Sequence, residues 1–149
     1  MFTNFFKRIM PHKKIIFIVE DNEVYAKYLE AFLHSRFPEV KEIKIFQIGE
    51  LCLRELDREP SIVIMDYFLN SKYHDAQNGL EIINRIKLSK PKTNIIVLSI
   101  QQDLEVILEI IKKHDCIYVQ KDTEAFNKVK LAIQEIFNRT KPPAFSLWN

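Results

Sequence analysis

The chain has 149 residues, 47% of them hydrophobic, which suits one domain with a buried core. Its 22 basic and 20 acidic residues leave a net charge of +2, too balanced for nucleic-acid binding on charge alone, and no groove-entering motif appears. No apolar run approaches the ~20 residues that span a bilayer, and the two glycines exclude a Gly-rich phosphate loop.

Residues 1–12 carry aromatics and two cations but no h-region or small-residue cleavage site, and are expected to form a flexible leader. Ile15 to Val19 is a continuous apolar run of the kind buried on both faces of a parallel sheet, and it ends on Glu20-Asp21. Asn22 and Glu23 open a helix to about Phe37, closed by Pro38, with Tyr25, Tyr28, Leu29, Phe32 and Leu33 as its apolar face. Glu42 to Phe46 alternates as an edge strand does, and Gly49 to about Arg58 reads as a second helix with Leu51, Leu53 and Leu56 apolar. Ser61 to Asp66 is another buried-type strand, ending on a single carboxylate.

A polar loop from Tyr67 to Asn78 follows, and Gly79 to Ser89 forms the third helix around Leu80, Ile82, Ile83 and Ile86. Asn94 to Ser99 is a strand ending on a hydroxyl. Asp103 caps a fourth helix, Leu104 to Lys113, after which His114 or Asp115 takes the left-handed conformation in place of a glycine. Cys116 to Gln120 is the fifth strand, stopping at Lys121. Asp122 or Thr123 caps a last helix, on which Phe126, Val129, Ile133, Ile136 and Phe137 recur at helical spacing. The core domain therefore runs over residues 13–140, and residues 141–149 form a tail holding Phe145, Leu147 and Trp148. Cys52 and Cys116 lie far apart without metal-type spacing, as free thiols do in a reducing cytoplasm.

Strands alternating with helices predict an α/β domain, and right-handed crossovers favour a flavodoxin-like, doubly wound parallel sheet in the order 2-1-3-4-5. Ligands in such sheets bind beyond the carboxyl ends of the strands. Glu20-Asp21, Asp66, Ser99 and Lys121 would then be neighbours on one face. Carboxylates ~5 Å apart repel by roughly 3 kcal/mol at an effective dielectric of ~20, so a cation is needed among them. Hard oxygen donors suit Mg²⁺. A carboxylate beside a metal, a lysine and a hydroxyl is equipped to attack phosphorus and become an aspartyl phosphate.

The pieces IIFIVED, IVIMDYFL, NGLEII, NIIVLS and YVQKD resemble a response-regulator receiver domain over about Lys13 to Arg139. The likeness is to the stand-alone, chemotaxis-regulator type. It implies Asp66 as phosphoacceptor, with Glu20, Asp21, Asp66 and the backbone carbonyl of Phe68 as Mg²⁺ ligands. Ser99 would be the switch hydroxyl, Lys121 the phosphoryl-binding cation and Tyr118 the switch aromatic. The implied donor is a phosphohistidine on a histidine kinase or a histidine phosphotransfer protein. Such a protein is cytoplasmic, touches neither nucleic acid nor membrane directly, and catalyses only its own phosphorylation and dephosphorylation. Its output is a change of protein contacts, with an unknown partner or a second copy, through the fourth helix, fifth strand and fifth helix. The fourth helix is apolar nearly all round, a surplus that suggests a contact surface.

Departures from the family pattern are informative. Asp66 and Gly79 stand thirteen positions apart, more than is usual, and the extra loop holds Tyr73, His74 and Asp75. His74 reads as a solvated loop residue, with a gating or dephosphorylating role as the alternative. Ile100 is bulky where a small residue is common, and Asp122 follows Lys121 where proline is usual. The competing reading is a pseudo-receiver, a binding module not regulated by phosphorylation. A haloacid-dehalogenase-type phosphatase would need a second Asp where Phe68 stands, and a flavodoxin would need a phosphate loop where Glu20 and Asp21 stand.

Overall fold

The computed structural model describes residues 14–69, 79–100 and 103–139. The leader at residues 1–12, the Tyr73–His74–Asp75 stretch of the loop, and the tail with Phe145, Leu147 and Trp148 lie outside the described residues. In chain order the elements are β1 (Ile15–Val19), α1 (Glu23–Arg36), β2 (Glu42–Phe46), α2 (Gly49–Arg54), a 3₁₀ turn (Leu56–Arg58), β3 (Ile62–Asp66), α3 (Gly79–Ser89), β4 (Asn94–Ser99), α4 (Leu104–Lys113), β5 (Ile117–Gln120) and α5 (Ala125–Arg139). All neighbouring strand pairs are parallel, and the sheet order is β2-β1-β3-β4-β5, as the sequence predicts.

The continuous apolar strands are explained by the two layers that cover them. Because successive side chains point to opposite faces, Ile16, Ile18, Ile62, Ile64, Ile96 and Leu98 pack with α1 and α5. Phe17, Val19, Val63, Met65, Ile95 and Val97 pack on the other side, with Cys52, Ile82, Ile83, Ile86 and Ile110 from α2, α3 and α4. Both cysteines are buried free thiols, pushed up by burial to about 12 for Cys52 and about 11 for Cys116.

The first two helices differ from the sequence reading. On α1 the buried stripe is Ala26, Leu29 and Leu33, while Tyr28 is 68% exposed. Tyr28 lies at least about 100° round the helix from each of these three, given 3.6 residues per turn. The second helix stops at Arg54, and the chain tightens into the 3₁₀ turn and a left-handed Glu59 (φ 55°). Pro60 bars the helix from running on, since it lacks a backbone N–H and the residue before a proline is disfavoured in the right-handed α region. Leu51 is exposed, whereas Leu56 is buried as expected and Cys52 joins it in the core. Of the two residues proposed to reverse the chain after α4, Asp115 adopts positive φ (51°) and His114 does not (φ −105°). At the start of α5, Asp122 acts as the cap: its carboxylate accepts from Glu124 N–H (2.9 Å) and its carbonyl from Ala125 N–H (3.2 Å).

Candidate phosphoacceptor site

Parallel pairing brings the carboxyl ends of β1, β3, β4 and β5 to one edge of the sheet, and chemistry-bearing residues stand there. Glu20 follows β1 directly; its N–H donates to the Phe46 carbonyl of β2 (3.0 Å) and its side chain is only 2% exposed. Asn22, the N-cap of α1, donates its own N–H to Glu20 Oε1 (3.1 Å) while its side chain accepts from Tyr25 N–H. One residue therefore starts the helix and orients the buried acid. Asp66 ends β3, buried, with Oδ1 accepting from Phe68 N–H (3.0 Å), which folds the Phe68 peptide back toward the carboxylate. Ser99 ends β4 and is wholly buried.

Lys121, just beyond β5, ties these tips together. Its N–H donates to the Ser99 carbonyl (2.8 Å), and its Nζ donates to Glu20 Oε2 (2.8 Å) and Asp66 Oδ2 (3.2 Å). One carboxylate oxygen from each of Glu20, Asp21 and Asp66 lies within 4.8 Å of the others. All sequence-proposed acids and the lysine thus come together, and the Tyr118 hydroxyl donates to the Ser99 carbonyl from the next strand (3.3 Å). Sequence reasoning missed Tyr25, whose ring centroid lies 4.2 Å from Lys121 Nζ. Nothing in its spacing marked it, since it sits on the helix's apolar stripe like any core aromatic.

Electrostatics follow from burial. Glu20 is pushed up to about 7, chiefly by desolvation and then by the charge of Asp66, against the hydrogen bond from Lys121. Burial also disfavours the Lys121 ammonium, yet the hydrogen bond to Glu20 and the charges of Asp66 and Glu20 outweigh it and hold the lysine above its ordinary value. Three acids with one lysine carry a formal −2. A close-set group of hard carboxylate oxygens with that surplus is the donor set a divalent cation such as Mg²⁺ fits.

The family model described as response regulator receiver domain matches residues 16–134. The chain belongs to this family. It is a receiver domain of the two-component response-regulator type, a signalling family that is generally not enzymatic. Solved receivers share its fold. The receiver domain of an HD domain-containing protein from Pseudomonas fluorescens Pf-5 is 23% identical, with a TM-score of 0.70 over 86% of this chain and 97% of that one. The phosphorylated cyanobacterial phytochrome response regulator RcpA is 21% identical, with a TM-score of 0.70 over 88% and 99%. RcsB from Salmonella typhimurium is 19% identical, with a TM-score of 0.72; the match covers 90% of this receiver but 65% of that chain. No curated protein matches the chain. No helix among the described residues is long and apolar enough to cross a membrane.

Proposed function

We propose that this receiver accepts a phosphoryl group on Asp66 from a phosphohistidine, on a histidine kinase or a phosphotransfer protein, in a Mg²⁺-dependent reaction. The observation that carries the reading is the convergence of Glu20, Asp21 and Asp66 within 4.8 Å, with Lys121 bridging Glu20 and Asp66. Glu20, Asp21, Asp66 and the Phe68 carbonyl would hold the metal. Bound there, Mg²⁺ neutralises the acids and offsets charge on the transferring phosphoryl.

The rest of the chemistry belongs to the chain. An Asp66 carboxylate oxygen forms the new bond to phosphorus as the donor's N–P bond breaks, and the electron pair leaves on the imidazole nitrogen. Lys121 already lies 3.2 Å from Asp66 Oδ2, where it can stabilise the phosphoryl oxygens through transfer. Ser99 is buried, so donating to the phosphoryl requires it to move outward, and Tyr118 turns into the space it leaves. The change is a shift between two states. Its output surface is α4, β5 and α5, contacting an output protein or a second copy. On α4 only Ile110 is buried, while Leu104, Leu108 and Ile111 are exposed. The domain spans residues 13–140, works in the cytoplasm, and acts on neither nucleic acid nor membrane directly.

Intact-mass measurement after incubation with acetyl phosphate and Mg²⁺ tests the reading. Wild type should gain one phosphoryl mass, lost in base and absent from Asp66→Ala. An unmodified wild type would favour a pseudo-receiver that binds partners without phosphorylation.

A further inference from the structure

Among the described residues, Lys121 Nζ meets Glu20 Oε2 at 2.8 Å, Asp66 Oδ2 at 3.2 Å and the face of Tyr25 with its centroid at 4.2 Å. Both carboxylates have other work in the proposed reaction, one as a metal ligand and one as the nucleophile. The ring has none. It is also firmly held. Its backbone N–H donates to the Asn22 cap (3.0 Å), and the ring meets Phe126 of α5 edge-on, with centroids 5.4 Å apart at 72°. Phe126 in turn packs against Phe32, with centroids 5.4 Å apart. Two helices therefore fix the plane of Tyr25. The tyrosine hydroxyl is buried and makes no hydrogen bond among the described residues. What this side chain offers the site is its π-face, which attracts an ammonium.

We propose that Tyr25 is a positioning residue for Lys121, a rigid aromatic shelf that keeps the ammonium at the strand tips while it exchanges a carboxylate partner for a phosphoryl oxygen. This rests on Asp66 being the phosphoacceptor. With Glu20 engaged by a bound divalent cation and Asp66 phosphorylated, both of the lysine's ion pairs would change. A four-carbon side chain released from both can swing into solvent. The ring contact alone persists through the step, so the shelf limits that swing and shortens the search for the phosphoryl oxygens.

Two measurements test this. In NMR spectra assigned with Lys121→Arg, the Lys121 side-chain methylene protons next to Nζ should show an upfield ring-current shift in wild type and in Tyr25→Phe. The shift should vanish in Tyr25→Leu. Phosphorylation by acetyl phosphate should be near wild type in Tyr25→Phe and about three- to ten-fold slower in Tyr25→Leu, the size of a partly desolvated cation–π contact carried into a rate. Phe37→Leu, which opens the same layer at its edge-on contact with Phe137 and touches neither Tyr25 nor Lys121, controls for stability and should leave the rate unchanged. An absent ring-current shift overturns the proposal. So does equal slowing of the Phe and Leu variants, an unslowed Tyr25→Leu, or a matching loss in Phe37→Leu. A wild type that takes up no phosphoryl group removes the reaction, and with it Tyr25's part in it, while the ring-current result still reports separately on the contact.

Discussion

Replacing Lys121 by alanine leaves Glu20 and Asp66 inside the 4.8 Å acidic cluster with no ammonium between them. At an effective dielectric of ~20, contacts of 2.8 and 3.2 Å correspond to about 6 and about 5 kcal/mol of attraction. Desolvation of the partners offsets much of this, and stranding a buried charge costs about 3–5 kcal/mol in practice. That range is the expected loss of unfolding free energy for Lys121→Ala in urea at mildly alkaline pH with a chelator present. The pH dependence has a definite sign. Glu20 already sits at about 7 in the fold against an ordinary 4.5, so the stability gained by protonating it is full below the ordinary value and is lost as pH rises through the folded one. Without Lys121 the folded value climbs further, and the variant's deficit should shrink as pH falls from about 8 toward 5. Mg²⁺ should restore more stability to the variant than to wild type, because Lys121 no longer competes for Glu20 Oε2; saturation to a hundred times Kd adds ~2.7 kcal/mol. A loss under ~1 kcal/mol, or one indifferent to both acid and Mg²⁺, would refute the claim that Lys121 holds the acids together.

Other perturbations follow from single contacts. A Cβ on Gly79 would sit 2.4 Å from the Tyr67 carbonyl oxygen and 2.9 Å from Tyr67 Cα, both backbone, so Gly79→Ala should lower stability by about 1–3 kcal/mol in urea unfolding. Its effect should spread to Asp66 through Tyr67, visible as amide shifts at both residues. His114 is held below its ordinary 6.5 by burial and then by Lys113, and its Nε2 is buried without a partner among the described residues. The unfolded chain therefore binds the extra proton: stability from this group is full above 6.5 and is lost as pH falls through the folded value. His114→Gln should flatten the acid limb of a stability–pH curve; an unchanged limb sinks that assignment. Ile100 is 66% exposed immediately after the β4 tip, where its bulk can restrict donor and water access. Ile100→Ala should alter the rates of phosphorylation and dephosphorylation, followed by intact mass, and unchanged values for both would dismiss the gating role.

The sheet and the site were legible in the sequence for different reasons. Runs such as Ile62–Met65 are apolar at every position because both layers demand it, so they mark central parallel strands without any periodicity. Their polar terminators, Glu20, Asp66, Ser99 and Lys121, then locate the carboxyl edge with no need for tertiary information. Helical faces carried less. Tyr28 and Leu51 are apolar enough to be read as core, but the number of covered positions is set by how closely a helix sits to the sheet, which hydrophobicity alone does not encode. The second helix ends at Arg54, well ahead of Pro60, so the proline did not mark where the break falls. Tyr25 escaped because an aromatic on an apolar stripe looks the same whether it faces a leucine or a lysine from another strand.

The Ser99 carbonyl accepts from both Lys121 N–H and Tyr118 O–H. The lysine stands just beyond β5 at the acidic cluster, and the tyrosine on β5 faces the α4 side of the sheet among residues packed with Ile110. A shift of the β4 tip toward a new charge on Asp66 therefore cannot leave either donor where it was, since each must follow the carbonyl or lose its bond. Asp66 itself pairs in register with Leu98, one residue before Ser99. Charge placed on the acid thus acts on a backbone segment already bonded to both the lysine and the aromatic. Because α4 buries only Ile110 firmly, little packing resists its adjustment. The same scarcity of buried contacts that leaves α4 apolar on its surface makes it the element most easily displaced when the β4–β5 tips rearrange.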